Sequence, residues 1–406
     1  MVSSRRTAAL AVLCLTALMI VLDSTIVAVA LPAIQADLGF SDAALSWVVN
    51  GYLIGFGVVL LPAGRLGDLV GARSVLLAGL LIFTVASLGC GLAPAAGWLV
   101  AGRLVQGVGG GLASAVIFGL IVRLYPEARG QARALGVYSF TQAGGAALGF
   151  VAGGLVTEAA GWPWIFLVNV PIGAIALVAG VRVVPREAGA GVRTGQSVLR
   201  SRRLWAALAA TVLIFGTGMG FQYVNALYLQ RVLGLDPVTT GLAFLPTPIV
   251  IGVVSLVVAP RVTARFGLRT VLTAGLALMA GGLLLLFRMP ADATYAIDVL
   301  PPLVVMGLGV GVVIPAIIMQ VMRGVATADT GFVSGLANTA QQAGGAAGVA
   351  ILALVAARVT ESQGALRDGY SAAFLVAGAF VIGALVLTLL GRRPVASEEV
   401  NVTLTR

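Results

Sequence analysis

Twelve long apolar segments constrain this sequence more than any other feature. Each has about 20 residues, the length at which an α-helix crosses the hydrocarbon core of a bilayer. They lie near residues 8–31, 44–63, 74–93, 97–120, 134–157, 163–181, 204–229, 240–260, 270–287, 299–320, 332–357 and 370–390. Only 10% of the residues are charged, whereas soluble domains carry about 25%. The sequence therefore predicts an all-α integral membrane protein with twelve transmembrane helices, numbered here as spans 1 to 12.

The arginines predict how these spans are oriented. With the amino terminus in the cytoplasm, four of the 25 basic residues fall on the outer side, one lies within span 4, and the other 20 fall on the inner side. The four outer residues are Arg231, Arg288, Arg358 and Arg367. Basic residues accumulate in cytoplasmic loops. We therefore expect both termini to be cytoplasmic.

The composition excludes several classes of function. The chain contains no histidine and no lysine, which excludes a Walker-type ATPase, a zinc HExxH site, a Ser-His-Asp triad and a Schiff-base lysine. Cys14 and Cys90 lie in apolar segments and are expected to be core residues without a disulfide or metal role. The net charge of +10 comes from arginines scattered in short loops, which favours membrane topology over nucleic-acid binding.

Two internal correspondences indicate a duplicated unit. The six residues QAGGAA occur at 142–147 and again at 342–347, in spans 5 and 11. Residues 64–80 and 260–276, after spans 2 and 8, agree at eight of 17 positions. Because six is an even number of spans, both halves have the same orientation, as in parallel repeats. The predicted domains are a first six-helix bundle (1–184), a cytoplasmic linker (185–203), a second six-helix bundle (204–392) and a cytoplasmic tail (393–406).

Several motifs together identify a resemblance to a known family. They are LDSTIVAVALP from Leu22, GRLGDLVGAR from Gly64, RLVQGVGGG from Arg103, PEARGQARALG from Pro126, WIFLVNVPIG from Trp164 and YLQRVLGLDPVTTGLAFLP from Tyr228. These segments resemble the major facilitator superfamily, and more narrowly its bacterial drug:proton antiporters. The chain departs from that branch by having twelve rather than fourteen helices. It also has Phe150 where the antiporter signature has proline, and Pro163 where a basic residue is usual.

The resemblance implies a secondary transporter in the inner membrane of a bacterium. It would export a small hydrophobic or amphipathic compound in exchange for protons, by alternating access, as a monomer. No cofactor is expected, because the proton gradient supplies the energy. A metabolite importer or symporter on the same fold stays open as an alternative. A membrane enzyme would need clustered acids, and we expect no catalytic or metal site.

Asp23 is the acidic residue and Arg103 the basic residue that lie well inside predicted spans. They lie at similar depths, in spans 1 and 4. A charge at mid-membrane costs about 2.5–3.5 kcal/mol on insertion scales and is usually retained for a partner or a function. By resemblance, both spans line a central cavity. We therefore expect the two charges to communicate, with protonation of Asp23 coupled to substrate release. A purely structural ion pair is the alternative.

Polar residues in other expected cavity helices are candidates for contact with the substrate. Gln106 lies one turn from Arg103 on the same helix face. The remaining candidates are Gln222, Tyr223 and Asn225 in span 7, and Asn338 and Gln342 in span 11. Hydrogen bonding between helices, which needs no ligand, is the alternative role for each of them.

The loop after span 2 carries a motif formed by Gly64, Asp68, Gly71 and Arg73. Its glycines allow a tight turn, and Asp68 can accept charge-assisted hydrogen bonds. By resemblance, the motif is a conformational latch between the halves. A basic loop that only sets the topology is the alternative.

Small residues at four-residue spacing predict close helix packing. Span 4 has Gly107 and Gly111, and span 5 has Gly145, Gly149 and Gly153. The resemblance adds that such surfaces slide as the transporter alternates between states.

Overall fold

The computed structural model describes residues 2–186, 201–290, 293–323, 325 and 330–390, and these residues contain helices and no β-strand. Twelve of the helical segments are long and apolar enough to cross a membrane, which confirms the predicted number of spans. Helices suit this environment because each one satisfies its own backbone N–H and C=O groups, which hydrocarbon cannot do.

Nine of the spans are continuous helices. They are Val2–Leu38, Asp42–Val70, Ala72–Gly91, Ala96–Leu124, Ala128–Ala160, Arg202–Arg231, Leu268–Phe287, Thr330–Gln363 and Leu366–Leu390. Several exceed the predicted segments, because the polar turns at their ends continue the helix but do not register as apolar. Span 1 even continues through Pro32 to Leu38.

Spans 6, 8 and 10 are interrupted. Span 6 consists of Pro163–Leu167 and Asn169–Val183. Span 8 consists of Pro237–Phe244, Pro246–Val253, a π-helical turn at Val254–Val258, and Ala259–Phe266. Span 10 begins with a π-helical turn at Tyr295–Val299 and continues as Leu300–Met322. The break in span 6 has a local cause, since Pro171 lacks the N–H that would bond to the Leu167 carbonyl and its ring crowds that carbonyl.

The contacts among the spans repeat when six is added to each span number. In the first half span 1 packs on span 5, span 2 on span 4, and span 3 on spans 4 and 6. In the second half span 7 packs on span 11, span 8 on span 10, and span 9 on spans 10 and 12. The halves meet where span 2 packs on span 11 and where span 5 packs on span 8. The fold is therefore two six-helix bundles related by pseudo-symmetry.

The duplicated loops also fold alike. Gly71 and Gly267 occupy equivalent turns with φ of +91° and +79°, a region that favours glycine. Arg73 then donates to the Val181 carbonyl at the end of span 6. Arg269 donates to the Leu389 carbonyl at the end of span 12, at 2.9 Å. Each arginine thus ties two spans of its own half together at one end of the bundle, here called the arginine-rich end.

Most of the predicted linker (185–203) and all of the predicted tail (393–406) fall on residues 187–200 and 391–406, which lie outside the described residues. The cytoplasmic location of the termini stays a prediction.

The predicted small-residue surfaces lie at helix contacts. A Cβ added at Gly111 would lie 2.6 Å from the Phe56 carbonyl oxygen of span 2, and one at Gly107 would overlap the Tyr52 carbonyl. In span 5, a Cβ at Gly153 would lie 2.8 Å from the Ile26 carbonyl oxygen of span 1. Gly145 and Gly149 face the same helix. Without side chains, these helices approach to backbone contact.

We expect Gly111→Ala to lower the thermal unfolding temperature in detergent, because the new methyl group would push spans 2 and 4 apart. Overpacking of this kind costs about 1–3 kcal/mol. Gly119→Ala is the matched control, since a Cβ there, two turns along the same helix, meets nothing within 4 Å. An equal loss of stability in both variants would contradict this account of the contact.

Candidate functional site

Asp23 lies in the interior of span 1 and has no exposed surface. Three side-chain N–H groups donate to its carboxylate. Arg103 donates to Oδ2 at 2.6 Å, while Gln106 and Asn169 donate to Oδ1 at 2.8 and 2.9 Å. Spans 1, 4 and 6 are therefore joined at one buried carboxylate.

Arg103 is equally enclosed, with 1% of its surface exposed. Besides the ion pair, its Nε donates to the Val48 carbonyl of span 2 at 3.0 Å. The guanidinium carbon lies 4.4 Å from the ring centroid of Tyr52 and 5.5 Å from that of Phe166. Aromatic faces attract such a cation. The guanidinium is therefore held by spans 1, 2, 4 and 6 together.

Gln106 connects the two charges to span 3. Its Oε1 accepts from Arg103 at 2.6 Å, and its Nε2 donates to Asp23 and, at 2.8 Å, to the Ser87 hydroxyl. The Ser87 hydroxyl in turn donates to the Phe83 carbonyl at 2.7 Å. Gln106, predicted to contact substrate, is thus fully engaged inside the first half in this structure.

Asn169 is a member of this site that the sequence reasoning did not single out. It is the first residue after the break in span 6 and has no exposed surface. Its Nδ2 donates to Asp23, while its Oδ1 is buried and has no hydrogen-bond partner in the part of the chain that the structure describes. Its signal in the sequence is a lone amide in an apolar segment, two residues before Pro171.

The cluster offsets much of the cost of burying charge. Removing an ion from water costs several kcal/mol even after relaxation, and a buried pair recovers this only when further hydrogen bonds satisfy both partners. Here the carboxylate accepts three hydrogen bonds. The guanidinium donates to Asp23, to the Gln106 amide oxygen and to the Val48 carbonyl. The arrangement is suited to the ionised forms of both residues.

The other predicted cavity residues are not brought into this cluster. Tyr223 and Asn225 are buried in span 7, and their side-chain polar atoms have no partner among the described residues. Gln222 and Gln342 are partly buried, and Asn338 is exposed. The Gln342 Cβ packs against Gly57 of span 2, at the contact between the halves. Two open grooves on the second half, one beside Leu278 and one beside Met322, contain none of these residues.

The halves are joined at the end opposite the arginine-rich end, here called the far end. Arg231, at the end of span 7, forms an ion pair with Asp42 of span 2 at 2.9 Å. Gln230 donates to the Val29 carbonyl of span 1 at 2.9 Å. The rings of Phe150 and Phe244 stack with centroids 4.5 Å apart and an interplanar angle of 9°. Phe150 thus fills the position of the expected proline with a contact between spans 5 and 8.

The predicted latch residues do not share one loop. Gly64 and Asp68 lie in the last turns of the helix Asp42–Val70, because span 2 continues as a helix beyond its apolar segment. Gly71 forms the turn at the arginine-rich end, and Arg73 lies in the first turn of span 3. Gly71 has the positive φ of that turn, and a Cβ at Gly64 would meet nothing within 4 Å. Arg73 contacts span 6 of its own half. The side chain of Asp68 lies outside the described residues. A contact of this motif with the second half therefore stays a prediction.

We expect Arg103→Gln to destabilise the protein in detergent by about 3 kcal/mol, because it leaves the Asp23 carboxylate buried without its cation. Adding Asp23→Asn to the same chain should recover part of that loss, because the unpaired charge is then gone. Thermal unfolding of both single variants and the double variant measures this coupling. Strictly additive losses would contradict it.

Comparisons with known proteins agree on the family. The model of the Major Facilitator Superfamily matches residues 13–349. The puromycin resistance protein pur8 of Streptomyces alboniger is 33% identical over 97% of this chain and 93% of its own length. The cephamycin export protein CmcT of Amycolatopsis lactamdurans is 32% identical over 95% of this chain and 92% of its own length.

Solved structures share the fold at lower identity. An inward-facing, unoccupied bacterial homologue of the human lysosomal transporter Spinster has a TM-score of 0.76 and 17% identity, covering 95% of this chain and 97% of that one. The nucleoside transporter NupG has a TM-score of 0.75 and 12% identity, covering 95% and 100%. With its twelve spans and duplicated halves, this chain is a multi-pass membrane protein that belongs to the major facilitator superfamily of transporters.

Proposed function

We propose that this protein exports a small hydrophobic or amphipathic compound in exchange for protons, with Asp23 as the proton-binding group. The observation that carries the proposal is the buried carboxylate of Asp23, which pairs with Arg103 and also accepts hydrogen bonds from Gln106 and Asn169. The relatives named for puromycin resistance and cephamycin export support the direction of transport and the class of compound. The protein works in the inner membrane of a bacterium, with both termini in the cytoplasm, as a monomer.

Electrostatics explain how proton binding would be coupled to movement. A proton on Asp23 neutralises the carboxylate and leaves Arg103 as a buried cation without its anion. Removing one partner of such a pair costs about 3–5 kcal/mol. A conformation that hydrates Arg103 or gives it another partner lowers this cost, so the protonated protein favours a different arrangement of spans 1 and 4. Proton binding thereby shifts the conformational equilibrium by the difference in its affinity for the two states.

The packing at the far end supports alternating access. The Asp42–Arg231 ion pair and the Phe150–Phe244 stack join opposite halves there. Opening this end requires both contacts to break. The side chain of Asp42 is 46% exposed and that of Arg231 is 17% exposed, and the stack contributes about 0.5–1.5 kcal/mol beyond its buried area. By the predicted orientation the far end faces the outside, where these contacts hold the two halves together.

Everted membrane vesicles test the proposal directly. With a panel of antibiotics and amphipathic dyes, we expect at least one compound to trigger proton flux in the wild type, and Asp23→Asn to abolish it at equal expression. Asp236→Asn is the control. Asp236 is an exposed acid that caps span 8 by accepting from the Thr239 N–H, and asparagine caps equally well.

Two outcomes would contradict the proposal. Compound flux that is independent of the pH gradient, or unchanged in Asp23→Asn, removes Asp23 as the coupling group. Proton and compound movement in the same direction makes the protein a symporter, the alternative left open by the sequence.

Joining the far end chemically tests alternating access. We expect a reducible bifunctional thiol reagent to abolish transport in the double variant Asp42→Cys with Arg231→Cys, and reduction to restore it. Each single variant is the control, since the native Cys14 and Cys90 are buried. Full transport by the cross-linked protein would contradict movement at this end.

A further inference from the structure

The hydrogen bonds around Asp23 serve its carboxylate and leave no acceptor for its acid form. Both oxygens accept N–H groups, from Arg103, Gln106 and Asn169. A protonated carboxyl adds an O–H donor. Buried donors without partners are unfavourable, and hydrocarbon offers no water to replace one. Proton binding therefore requires an acceptor at this site.

Gln106 is poorly placed to supply that acceptor. Its Oε1 already accepts from Arg103, and its Nε2 donates to both Asp23 and Ser87. Reversing this amide would break the bonds to Arg103 and Ser87 in order to make one bond to Asp23. Gln106 is thus fixed in its present orientation by its two other partners.

Asn169 has the acceptor that the acid form needs. Among the described residues, its Nδ2 has a single hydrogen-bond partner, Oδ1 of Asp23, and its own Oδ1 is buried without one. Rotation by a half-turn about the terminal side-chain bond exchanges Nδ2 and Oδ1, and such torsions are broad and roughly two-fold. This rotation places an acceptor beside Asp23 and breaks no other bond of the amide recorded in the structure.

We propose that Asn169 is a positioning residue whose amide reverses on proton binding, donating to the Asp23 carboxylate and accepting from its acid form. This inference rests on the proposed proton-binding role of Asp23. Asn169 suits the task because it begins a helical segment after the break in span 6. When the amide returns to its donor orientation, Asp23 passes its proton to water on the side to which the site is then open.

Within the described parts of the chain, few other titratable or charged groups surround Asp23. Span 4 brings Arg103, span 2 brings Tyr52 and span 3 brings Cys90. Span 5 faces this part of span 1 with Gly149, which packs against Thr25. The Tyr52 hydroxyl is also buried without a partner among the described residues, but it faces Gly110, one turn beyond Gln106. Tyr52→Phe is therefore a matched control that removes an unpartnered oxygen near the same ion pair.

Infrared difference spectroscopy of the full-length protein in lipid nanodiscs tests the proposal as the pH is changed. The band of protonated Asp23 is identified by its loss in Asp23→Asn. In the wild type we expect this band at the position of a hydrogen-bonded acid, together with a change in an asparagine side-chain amide band. Asn169→Leu should move the carboxyl band to higher wavenumber and remove the amide change, whereas Tyr52→Phe should leave both unchanged.

Transport gives a second readout. Asn169→Leu should slow compound-driven proton flux about tenfold, the effect of one buried hydrogen bond left unmade. Asn169→Ser should retain more flux, because a hydroxyl both donates and accepts. If Asn169→Leu does not fold, Asn169→Ala provides the same spectroscopic comparison.

The outcomes separate this inference from the proposed function. An Asp23 band that is unchanged in Asn169→Leu, or that moves in Tyr52→Phe instead, overturns the role of Asn169 and leaves Asp23 as the proton-binding group. Spectra of the wild type and Asp23→Asn that coincide at every pH overturn both.

Discussion

A carboxylate and a guanidinium enclosed in an apolar bundle must face each other, and the first half of this protein is arranged around that requirement. Arg103 Nη1 lies 2.6 Å from Asp23 Oδ2, and both side chains have almost no exposed surface. The other hydrogen-bonding groups of the two side chains are satisfied by the Val48 carbonyl of span 2, by Gln106 of span 4 and by Asn169 of span 6. Ser87 of span 3 in turn holds Gln106. A change in the charge of either side chain therefore affects the hydrogen bonds of spans 1, 2, 3, 4 and 6 together. Such a change is costly because a buried polar network is unfavourable when only partly satisfied.

The sequence predicts the number of spans, the duplication and the pairing of the two charges, and each has a physical reason. Helix length follows from bilayer thickness, and mid-membrane charges demand compensation, so two opposite charges at similar depth are natural partners. Asn169 could not be inferred in the same way, because an amide has no net charge that demands a partner and its neighbours in space are distant in sequence. Gln222, Tyr223 and Asn225 are likewise uncharged, so their positions in the structure do not reveal their role, and contact with substrate stays a prediction for them.

The duplicated QAGGAA segments show how one sequence pattern supports two different contacts. In span 5, Gly145 and Gly149 face span 1, whereas Gly144 meets nothing within 4 Å. In span 11 the equivalent of that open glycine, Gly344, contacts Val212 of span 7, and Gly348 contacts Gly216. The contact surface is therefore shifted by one residue between the halves. Small residues permit close approach without specifying which of them is used, so sequence symmetry does not impose identical packing.

Span 5 lies between its own half and the other half, and its two faces are built differently. Gly149 and Gly153 contact span 1, while Phe150 and Gly154 contact span 8. Toward span 1, the glycines lie against the Thr25 side chain and the Ile26 carbonyl, whereas the face toward span 8 adds an aromatic stack to the contact of Gly154 with the Pro237 carbonyl. An aromatic stack is worth about 0.5–1.5 kcal/mol beyond its buried area and breaks as a unit. Phe150, in place of the proline of the antiporter signature, therefore adds a discrete contact between the halves while the glycines beside it keep span 5 bound to span 1.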